Sequence, residues 1–587
     1  MNLTTTKPAF GSVNLSNCDR EPIHQLGAVQ PIGFLVAISP QWIVVRASEN
    51  IADFLGRPCG EMPGISLDDL MSPQAVHGIR NLAAALRGKD SLERAFGMQL
   101  QNEKPLFDVA VHRAGAEFII ECEPSEPQGT INTCSMVRLM IERLQAKPGF
   151  NDFIREAALQ VRSLTRLDRV MVYQFLPDGS GEVIGESVRT GMDSFLGLRF
   201  PASDIPVQAR ALYVRNSLRL IADVNAAPVP VQPGFDAEGA PIDLSMSVLR
   251  SVSPIHLEYL KNMGLQASMS ISILRHGKLW GLFACHNMLP VHIGFERRTA
   301  ADLFAQMFSL MIDSRLRDQE RAYEASAHDL HNQLMAAMAA NKPFHEAVAE
   351  LVDTMAGLVP ADGIGLWLNG QATLKGLAPT REEFKGLVRF INRSAAGQVF
   401  ATYEIQKLYP PAQDFVGRVA GLLAIPVSLT HGDYLVFFRQ EVVNTVTWSG
   451  NPYKPVELGP HGDRLTPRKS FELWREDIQG QSAPWLQAEL HAARSLRTTL
   501  LEVFFRLADV TEKERRLAAE KQDLLIAELN HRVRNILNLI SGLVSQSKPG
   551  ATDVESFAKV LGGRVQALAR AHDRSRPNTG GRVRWPP

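Results

Sequence analysis

The sequence predicts an α+β protein of several domains that continues into long helices. Its 587 residues correspond, as a length prior, to about four domains. In three separate blocks, short apolar runs alternate with turns rich in Gly and Pro, a pattern typical of antiparallel strands with intervening helices. Elsewhere, long stretches carry apolar residues at the helical period. We therefore expect domains with antiparallel sheets, long helices and a C-terminal helical hairpin.

Composition excludes several classes of protein. Lys plus Arg and Asp plus Glu number 62 each, so we expect neither nucleic acid nor a membrane as a partner. The five cysteines form no CxxC pair and no zinc spacing, which predicts no metal site and is typical of a reducing cytosol. No apolar run approaches the ~18 residues needed to span a bilayer. The sequence thus predicts a soluble, cytoplasmic protein.

The first block follows a polar tail of residues 1–15. From Ile32 to about Arg143, strand-length runs such as FLVAIS, FDVAVHR and EFIIECE surround a helical pattern at 75–88. This arrangement predicts an antiparallel α+β domain.

The second block extends from about Gly149 to Phe308. It begins with helix NDFIREAALQVRSLTR and strands RVMVYQFL and GEVIGESV, and it ends with strands SMSISILR and LWGLFACHN. Between them lies an irregular stretch at 223–245 that is rich in Pro, Asp and Ala. A loop this long inside a compact domain is usually functional.

Helical patterns dominate the rest of the chain. One helix is predicted from about Phe295 through Met338, and it is long enough to extend into two domains. A third α+β block at about 340–490 contains a turn-rich insertion at 447–476. After Pro484 a second signalling helix is predicted, and two amphipathic helices at the end form a hairpin that would pair with another copy.

Several motifs, in this order and spacing, resemble the photosensory core of a bacteriophytochrome. They are NCDREPIH (17–24), DRVMVYQFLPDGSGEVIGES (168–187), FPASDIPVQARALYVRNSLRLIADV (200–224), LRSVSPIHLEYLKNMG (249–264), ASMSISI (267–273), WGLFACHN (280–287), WSGNP (448–452) and PRKSF (467–471). The resemblance implies a PAS domain at 16–135, a GAF domain at 136–315, and a PHY domain at 316–510 with a tongue at 445–478. It also implies the dimerisation and phosphoacceptor helices of an HWE-type histidine kinase within 511–587.

The resemblance implies a red/far-red photoreceptor that binds biliverdin covalently as a thioether at Cys18. The family threads its N-terminal segment through a long GAF loop, which would here be 223–245. That arrangement would bring Cys18 to the pigment and would form a figure-of-eight knot, a rare topology.

Biliverdin is a linear tetrapyrrole with two propionates, pyrrole N–H donors and a conjugated π system, and the motif residues suit these groups. Arg219 and Arg250 can clamp the propionates, and Ser268 and Ser270 can donate further hydrogen bonds. By resemblance, the backbone carbonyl of Asp204 faces the pyrrole nitrogens, with His256 close by. His286 is expected to contact the carbonyl of the last ring, and the aromatic residues around that ring are Tyr173, Phe200, Tyr213 and Tyr259.

Three positions refine the expectation. Plant and cyanobacterial phytochromes attach their pigment at a cysteine directly after the SPxH histidine, but this chain has Leu257 there, which implies biliverdin. Ile32 stands where many relatives carry histidine, a change with no chemical reason to abolish binding. Leu198 occupies a position that is often glutamine in relatives resting in the far-red state, which favours a red-absorbing dark state while leaving both states open.

The family's switch is expected to involve the tongue. Light isomerises the double bond between the last two rings, after which Asp204 should exchange an ion pair with Arg468 for a contact with Ser470, while Trp448 and the tongue repack. Such a contact biases an element with two stable conformations.

The output region resembles the phosphoacceptor helices of HWE kinases, with His531 as the candidate phosphoacceptor and Asn535 completing an HRxxN pattern. The residues after Asp573 resemble no ATP-binding domain, which we interpret as a truncation or a shifted reading frame. We therefore expect no autophosphorylation by this chain alone. A homodimer is expected, with a response regulator or a separate kinase as partner in trans.

A second interpretation stays open. The chain could be a pigment-free PAS/GAF regulatory or scaffold protein that retains only the fold. The joint presence of Cys18, Arg219, Arg250, His256 and His286 favours the photoreceptor.

Overall fold

A computed structural model describes residues 22–102, 105–126, 133–236, 238–339, 359–395, 397–427, 432–442, 444–449, 473–549 and 553–574, with residues 352 and 355. The chain divides into two compact units. The first comprises Met1–Ala325, Thr402–Gly421 and Arg439–Ala488, and the second comprises Ser326–Ala401, Leu422–Phe438 and Glu489–Pro587. Among the described residues, no helix combines the length and apolar character that a membrane span requires.

The first unit begins with a seven-stranded antiparallel sheet in the order β1-β11-β3-β2-β6-β5-β4. Its strands are β1 (Ala28–Val29), β2 (Phe34–Ile38), β3 (Val44–Ser48), β4 (Leu92–Met98), β5 (Phe107–Ala114), β6 (Glu117–Pro124) and β11 (Val229–Gln232). Helices α1 (Ile51–Leu55), α2 (Leu67–Leu70) and α3 (Pro73–Ala85) share a fully buried core with one face of this sheet. Ser72 begins α3 because its hydroxyl accepts the Ala75 N–H at 3.2 Å, and Pro73 follows at the first helical position.

An eight-stranded sheet follows, in the order β10-β12-β13-β7-β8-β9-β19-β20. Its strands are β7 (Arg169–Phe175), β8 (Gly181–Val188), β9 (Arg199–Phe200), β10 (Leu218–Ile221), β12 (Ala267–Arg275), β13 (Lys278–Asn287), β19 (Asn444–Ser449) and β20 (Leu473–Ile478). One face packs on helices α4 (Thr133–Gln145), α5 (Phe150–Thr165) and α8 (Phe295–Ala339). The other face carries the short helices α6 (Val207–Arg215) and α7 (Pro254–Asn262) near its β10 edge.

Two long-range pairings depart from the expected layout. The stretch at 223–245, expected to be irregular, contains strand β11, which joins the first sheet between β1 and β3. The hairpin β19–β20 joins the second sheet through a parallel bridge between Trp448 and Arg199.

The described N-terminal segment, residues 24–30, lies between residues 229–230 and residues 244–251. On one side, Ala28 and Val29 pair with residues 229–230. On the other side, the N–H of residue 244 donates to the His24 carbonyl at 2.9 Å, and the N–H of residue 251 donates to the Ala28 carbonyl at 2.9 Å. The segment is thus hydrogen-bonded on both sides by one continuous stretch of chain, and the knot itself stays a prediction.

The later part of the chain forms a five-stranded sheet in the order β15-β14-β18-β17-β16. These strands are β14 (Gly363–Leu368), β15 (Gln371–Gly376), β16 (Phe400–Thr402), β17 (Gly421–Pro426) and β18 (Tyr434–Arg439). The remaining helices are α9 (Arg381–Ala395), α10 (Ile405–Leu408), α11 (Gln487–Ser547) and α12 (Val554–Arg574). The Arg564 guanidinium on α12 donates to the Ser547 hydroxyl at the end of α11, at 3.3 Å.

Candidate functional site

The register of the second sheet gathers the strand residues of the candidate site on one face. Directly paired residues of antiparallel strands point to the same face, and successive residues point to opposite faces. Arg219 pairs with Ser270, and Ser268 pairs with His286. Tyr173 pairs with residue 282, which in turn pairs with residue 272, so Tyr173 shares this face. The intervening residues belong to the core on the opposite face.

A cavity of about 200 Å³ lies on this side of the sheet, enclosed by α6, α7 and the 3₁₀ turn Ala202–Asp204. Six of the predicted site residues line it: Asp204, Tyr213, Arg219, Arg250, His256 and Tyr259. The remaining lining comprises eight apolar and five uncharged polar residues: Ile23, Ser203, Ile205, Pro206, Gln208, Ala209, Leu212, Asn216, Leu218, Ser251, Val252, Ser253 and Ile255.

Both arginines line the cavity, Arg219 from β10 and Arg250 from the segment that precedes α7. The Arg219 guanidinium donates to the Ser251 carbonyl at 2.8 Å and to the Val248 carbonyl at 3.4 Å. Arg250 is buried, and its Nε and Nη1 have no hydrogen-bond partner among the described residues. Burial lowers the pKa of Arg250 to about 10, and burial together with the charge of Arg250 lowers the pKa of Arg219. A buried cation with unpaired donors is a strong anion receptor.

Helix α7 brings His256 and Tyr259 to the cavity because residues three apart share a helix face. Their rings stack 6.0 Å apart with an interplanar angle of 11°. The Tyr259 hydroxyl donates to Oδ2 of Asp204 at 2.9 Å. Burial, followed by the nearby Arg219 charge, lowers the pKa of His256 to about 4. The imidazole is therefore neutral at physiological pH and can donate one hydrogen bond and accept another.

His286 lies on the same sheet face, next to the cavity lining. Its Nδ1 is buried and has no hydrogen-bond partner within the described part of the chain. Burial lowers the pKa of His286 to about 3, and the charge of Arg169, its cross-strand neighbour, acts in the same direction. Arg169 forms a buried ion pair with Glu186 at 3.0 Å. His286 is thus neutral, and its own Nδ1 is the atom that could hydrogen-bond to a ligand.

Aromatic residues form a cluster on this sheet face that meets the cavity at Tyr213. Tyr173 packs edge-on against Phe175 and Phe200, with ring centroids 5.3 and 5.9 Å apart. Tyr213 is partly buried against the same cluster. Gly181 makes room for the Tyr173 ring, since a Cβ there would lie 1.9 Å from the ring. The structure therefore brings Tyr173, Phe200 and Tyr213 together, whereas Tyr259 lies on the α7 side of the cavity.

Three predicted residues, Cys18, Arg468 and Ser470, lie outside the described residues. Trp448 lies in β19 and is partly buried. Ser268 is buried and Ser270 is partly buried on β12, and neither lines the cavity.

Sequence reasoning did not select several residues that shape the cavity. Gln208, Asn216 and Ser253 line it, and Ser253 lies within the SPIH motif that identified His256. Glu121, on β6 of the first sheet, hydrogen-bonds to the segment that carries Arg250. No local pattern could indicate Glu121, because its partners are about 125 residues away in the sequence.

The candidate phosphoacceptor lies far along helix α11. His531 is exposed, and its Nδ1 lies 3.3 Å from the Asn535 amide nitrogen one helical turn later. Arg532 pairs with Glu528 on the same helix. An exposed imidazole in this setting is accessible to a phosphoryl donor.

Comparisons with known families match four successive regions. A PAS fold matches residues 18–125 and a GAF domain matches 150–312. The phytochrome region matches 327–509, and an HWE histidine kinase matches 528–582.

Whole-chain comparisons agree with these matches. A bacteriophytochrome of Pseudomonas aeruginosa is 36% identical over 585 residues, covering 97% of this chain and 77% of that protein. Cyanobacterial phytochrome B of a Nostoc species is 37% identical over 505 residues, covering 85% and 67%. Among solved structures, a bacteriophytochrome from the photosynthetic bacterium R. palustris aligns with a TM-score of 0.74 at 34% identity, covering 84% of this chain and 99% of that one.

Proposed function

Since this chain belongs to the phytochrome family of light photoreceptors and carries an output region of the histidine-kinase type, we propose that it binds biliverdin through Cys18 and switches between red- and far-red-absorbing states. When bound, biliverdin would supply the light absorption and the double bond that isomerises. The protein's own residues would orient the pigment, exclude water and respond to rotation of its last ring.

The pair of arginines Arg219 and Arg250 is the main support for this proposal. Two guanidinium groups line one cavity, and the buried Nε and Nη1 of Arg250 have no partner among the described residues. Unpaired buried charge is costly, so this site favours a ligand that brings anions. Biliverdin brings two propionates, and each carboxylate suits the planar fork of an arginine.

The remaining contacts support an orientation for the pigment. Asp204, Tyr259 and neutral His256 form a polar group at one side of the cavity, where the pyrrole N–H donors would find acceptors. His286, with its buried Nδ1, and the aromatic cluster of Tyr173, Phe200 and Tyr213 would surround the last ring. A neutral imidazole there can donate to a carbonyl without adding charge.

The position of Ile23 supports covalent attachment at Cys18. Ile23 lines the cavity and Cys18 precedes it by five residues, which an extended chain spans in at most about 18 Å. The other cysteine side chains that the structure describes are less suited. Cys122 and Cys285 are buried, which raises their pKa values and keeps them as thiols, and Cys59 does not line the cavity.

The test is an absorption spectrum of the purified chain with biliverdin, before and after red light. A sharp red band that converts to a far-red band supports the proposal. A broad band like that of free biliverdin, unmoved by light, would instead favour the pigment-free scaffold.

Covalent attachment is tested separately by denaturing the pigmented protein. The unchanged chain should keep its bilin after denaturation, and Cys18→Ser should lose it. Cys59→Ser is the matched control and should keep the bilin, because Cys59 lies away from the cavity. Retention of the bilin by Cys18→Ser would exclude Cys18 as the attachment site.

For the switch, we propose the exchange expected from the family. Asp204 would exchange its ion pair with Arg468 for a contact with Ser470, and the hairpin β19–β20 would transmit the change. The bridge between Trp448 and Arg199 supports this route, since β9 lies directly before the turn that carries Asp204.

For the output, we propose a homodimer with His531 as phosphoacceptor and a response regulator as partner. Helix α11 exposes apolar side chains at helical spacing: Leu525, Leu529, Ile536 and Ile540. Such a stripe would be covered by a second copy. Sedimentation analysis of the purified chain tests the dimer, and a monomer at micromolar concentration would refute it.

A further inference from the structure

The segment Ser247–Ser251 holds both cavity arginines. It carries Arg250 itself, and two of its carbonyls, on Val248 and Ser251, accept hydrogen bonds from the Arg219 guanidinium. The segment is buried, yet it belongs to no helix or strand. Its position, and with it the position of both guanidiniums, therefore depends on contacts with other parts of the fold.

One side chain of the first sheet makes several of these contacts. Glu121 on β6 is 2% exposed, and its carboxylate accepts the Leu249 N–H at 2.8 Å and the Val248 N–H at 3.1 Å. It also accepts the Ser247 hydroxyl, whose oxygen in turn accepts the Arg250 N–H at 3.1 Å. Hydrogen bonds to a charged group in a dry site are among the strongest in proteins.

Glu121 also interacts with the charges of both arginines. Burial raises the pKa of its carboxyl, and the hydrogen bonds from Ser247, Leu249 and Val248 act in the opposite direction. Burial lowers the pKa values of Arg219 and Arg250, while the charge of Glu121 acts in the opposite direction on both. Tyr213 acts in the same direction as Glu121 on both arginines, and Asp243 does so on Arg250. Glu121 differs from these two groups because it also hydrogen-bonds to the segment that holds the guanidiniums.

We propose that Glu121 is a positioning residue through which the seven-stranded sheet sets the affinity of the cavity for the carboxylates of a tetrapyrrole. The carboxylate holds the segment Ser247–Ser251 so that the Arg219 and Arg250 guanidiniums are fixed before ligand arrives. Preorganised donors bind more tightly because they lose less freedom on binding. This inference rests on the proposed binding of biliverdin.

Glu123 is a matched control on the same strand. It lies two residues along, on the same face, and is also 2% exposed. Its partners are Arg298 at 2.6 Å and His292 at 3.1 Å, both outside the segment Ser247–Ser251. Glu123→Gln therefore removes the same charge at the same depth without a direct effect on the arginines.

The experiment compares two ligands, biliverdin and biliverdin dimethyl ester, whose propionates are neutral. Cys18→Ser serves as the background so that binding is reversible and Kd can be measured by absorbance. Glu121→Gln places an NH₂ group against at least one of the three donors that the carboxylate now satisfies. With one charged hydrogen bond lost, Glu121→Gln should raise the Kd for biliverdin about tenfold and change that for the ester less than about twofold.

Glu123→Gln should affect the two ligands equally or not at all, because it does not act through the propionates. Ser247→Ala removes one of the three donors while leaving Glu121 in place, and it should weaken biliverdin selectively by about threefold. It serves as the second variant where Glu121→Gln does not fold.

Two results would overturn the inference. Equal weakening of both ligands by Glu121→Gln would mean that the residue acts on stability alone, and no weakening of either would mean that the segment holds its position without it. Failure of the Cys18→Ser background to bind either ligand, with the unchanged chain also unpigmented, would overturn the proposed function itself. The last result is distinct because it appears before any Glu121 variant is made.

Discussion

Burial of His112 should make the free energy of unfolding depend on pH. It lies on β5, and Leu92 and Ile119 are its cross-strand partners. The side chain is fully buried, and neither ring nitrogen has a hydrogen-bond partner among the described residues. Burial lowers the pKa of His112 from 6.5 to about 4, and the charge of Asp243, which acts in the opposite direction, only partly offsets this.

The sign follows from the protons bound in each state. Between pH 6.5 and 4, an unfolded chain protonates His112 while the folded chain keeps it neutral. The unfolded state therefore binds more protons, and the free energy of unfolding falls as the pH falls through this range. With these two pKa values, the loss at pH 4.5 relative to pH 7.5 is about 2–3 kcal/mol for this one group.

The assay compares the unchanged apoprotein with His112→Leu. Cys122 is fully buried on β6 of the same domain. The reaction of its thiol with dithiodipyridine, measured across a urea series at each pH, therefore reports unfolding of that domain. His112→Leu should reduce the acid loss of stability by about 2–3 kcal/mol. His77→Leu is the control, since it removes an exposed histidine on α3 of the same domain and leaves the buried His112 in place. Parallel pH profiles for the unchanged chain and His112→Leu would refute the reasoning.

Two further predictions concern the site and the output. Gly181→Ala would place a Cβ 1.9 Å from the Tyr173 ring and displace the ring, so we expect a shifted red band, reduced photoconversion and a loss of about 1–3 kcal/mol of stability. Gly60→Ala, whose Cβ meets nothing within 4 Å, should change neither the spectrum nor the stability. An unaltered spectrum for Gly181→Ala would contradict the packing argument. With a separate HWE kinase and ATP, phosphate should appear on the unchanged chain and on His491→Gln but not on His531→Gln, as measured by mass spectrometry; labelled His531→Gln would exclude this residue as the acceptor.

Local patterns predicted much of the fold. The helix expected from Phe295 through Met338 is observed as Phe295–Ala339, and the strand SMSISILR lies within β12. These elements follow from a period of apolar residues that each segment carries in itself. Motif resemblance likewise indicated Arg219 and Arg250, and both line the cavity.

Pairings between distant segments could not be predicted in this way. Strand β11 joins a sheet whose other strands all lie before residue 125, and its four residues, VPVQ, carry no signal of that partner. The role of Glu121 is hidden for the same reason, because an acidic residue inside an apolar strand indicates burial of a charge without indicating its partner. Such contacts depend on which surfaces meet after the elements have formed.

The addition of β11 to the first sheet also affects how the protein folds during its synthesis. Val231, which completes the first sheet next to Ser48, is synthesised about 180 residues later. At 5–20 residues per second, the ribosome needs roughly 10 to 40 s to deliver it. During that interval β3 presents an open strand edge, and the segment that will be enclosed between residues 229–231 and 244–251 has no partner. The seven-stranded sheet therefore cannot be completed until β11 has been synthesised. A chain arrested before that point would present an unpaired strand edge to other chains.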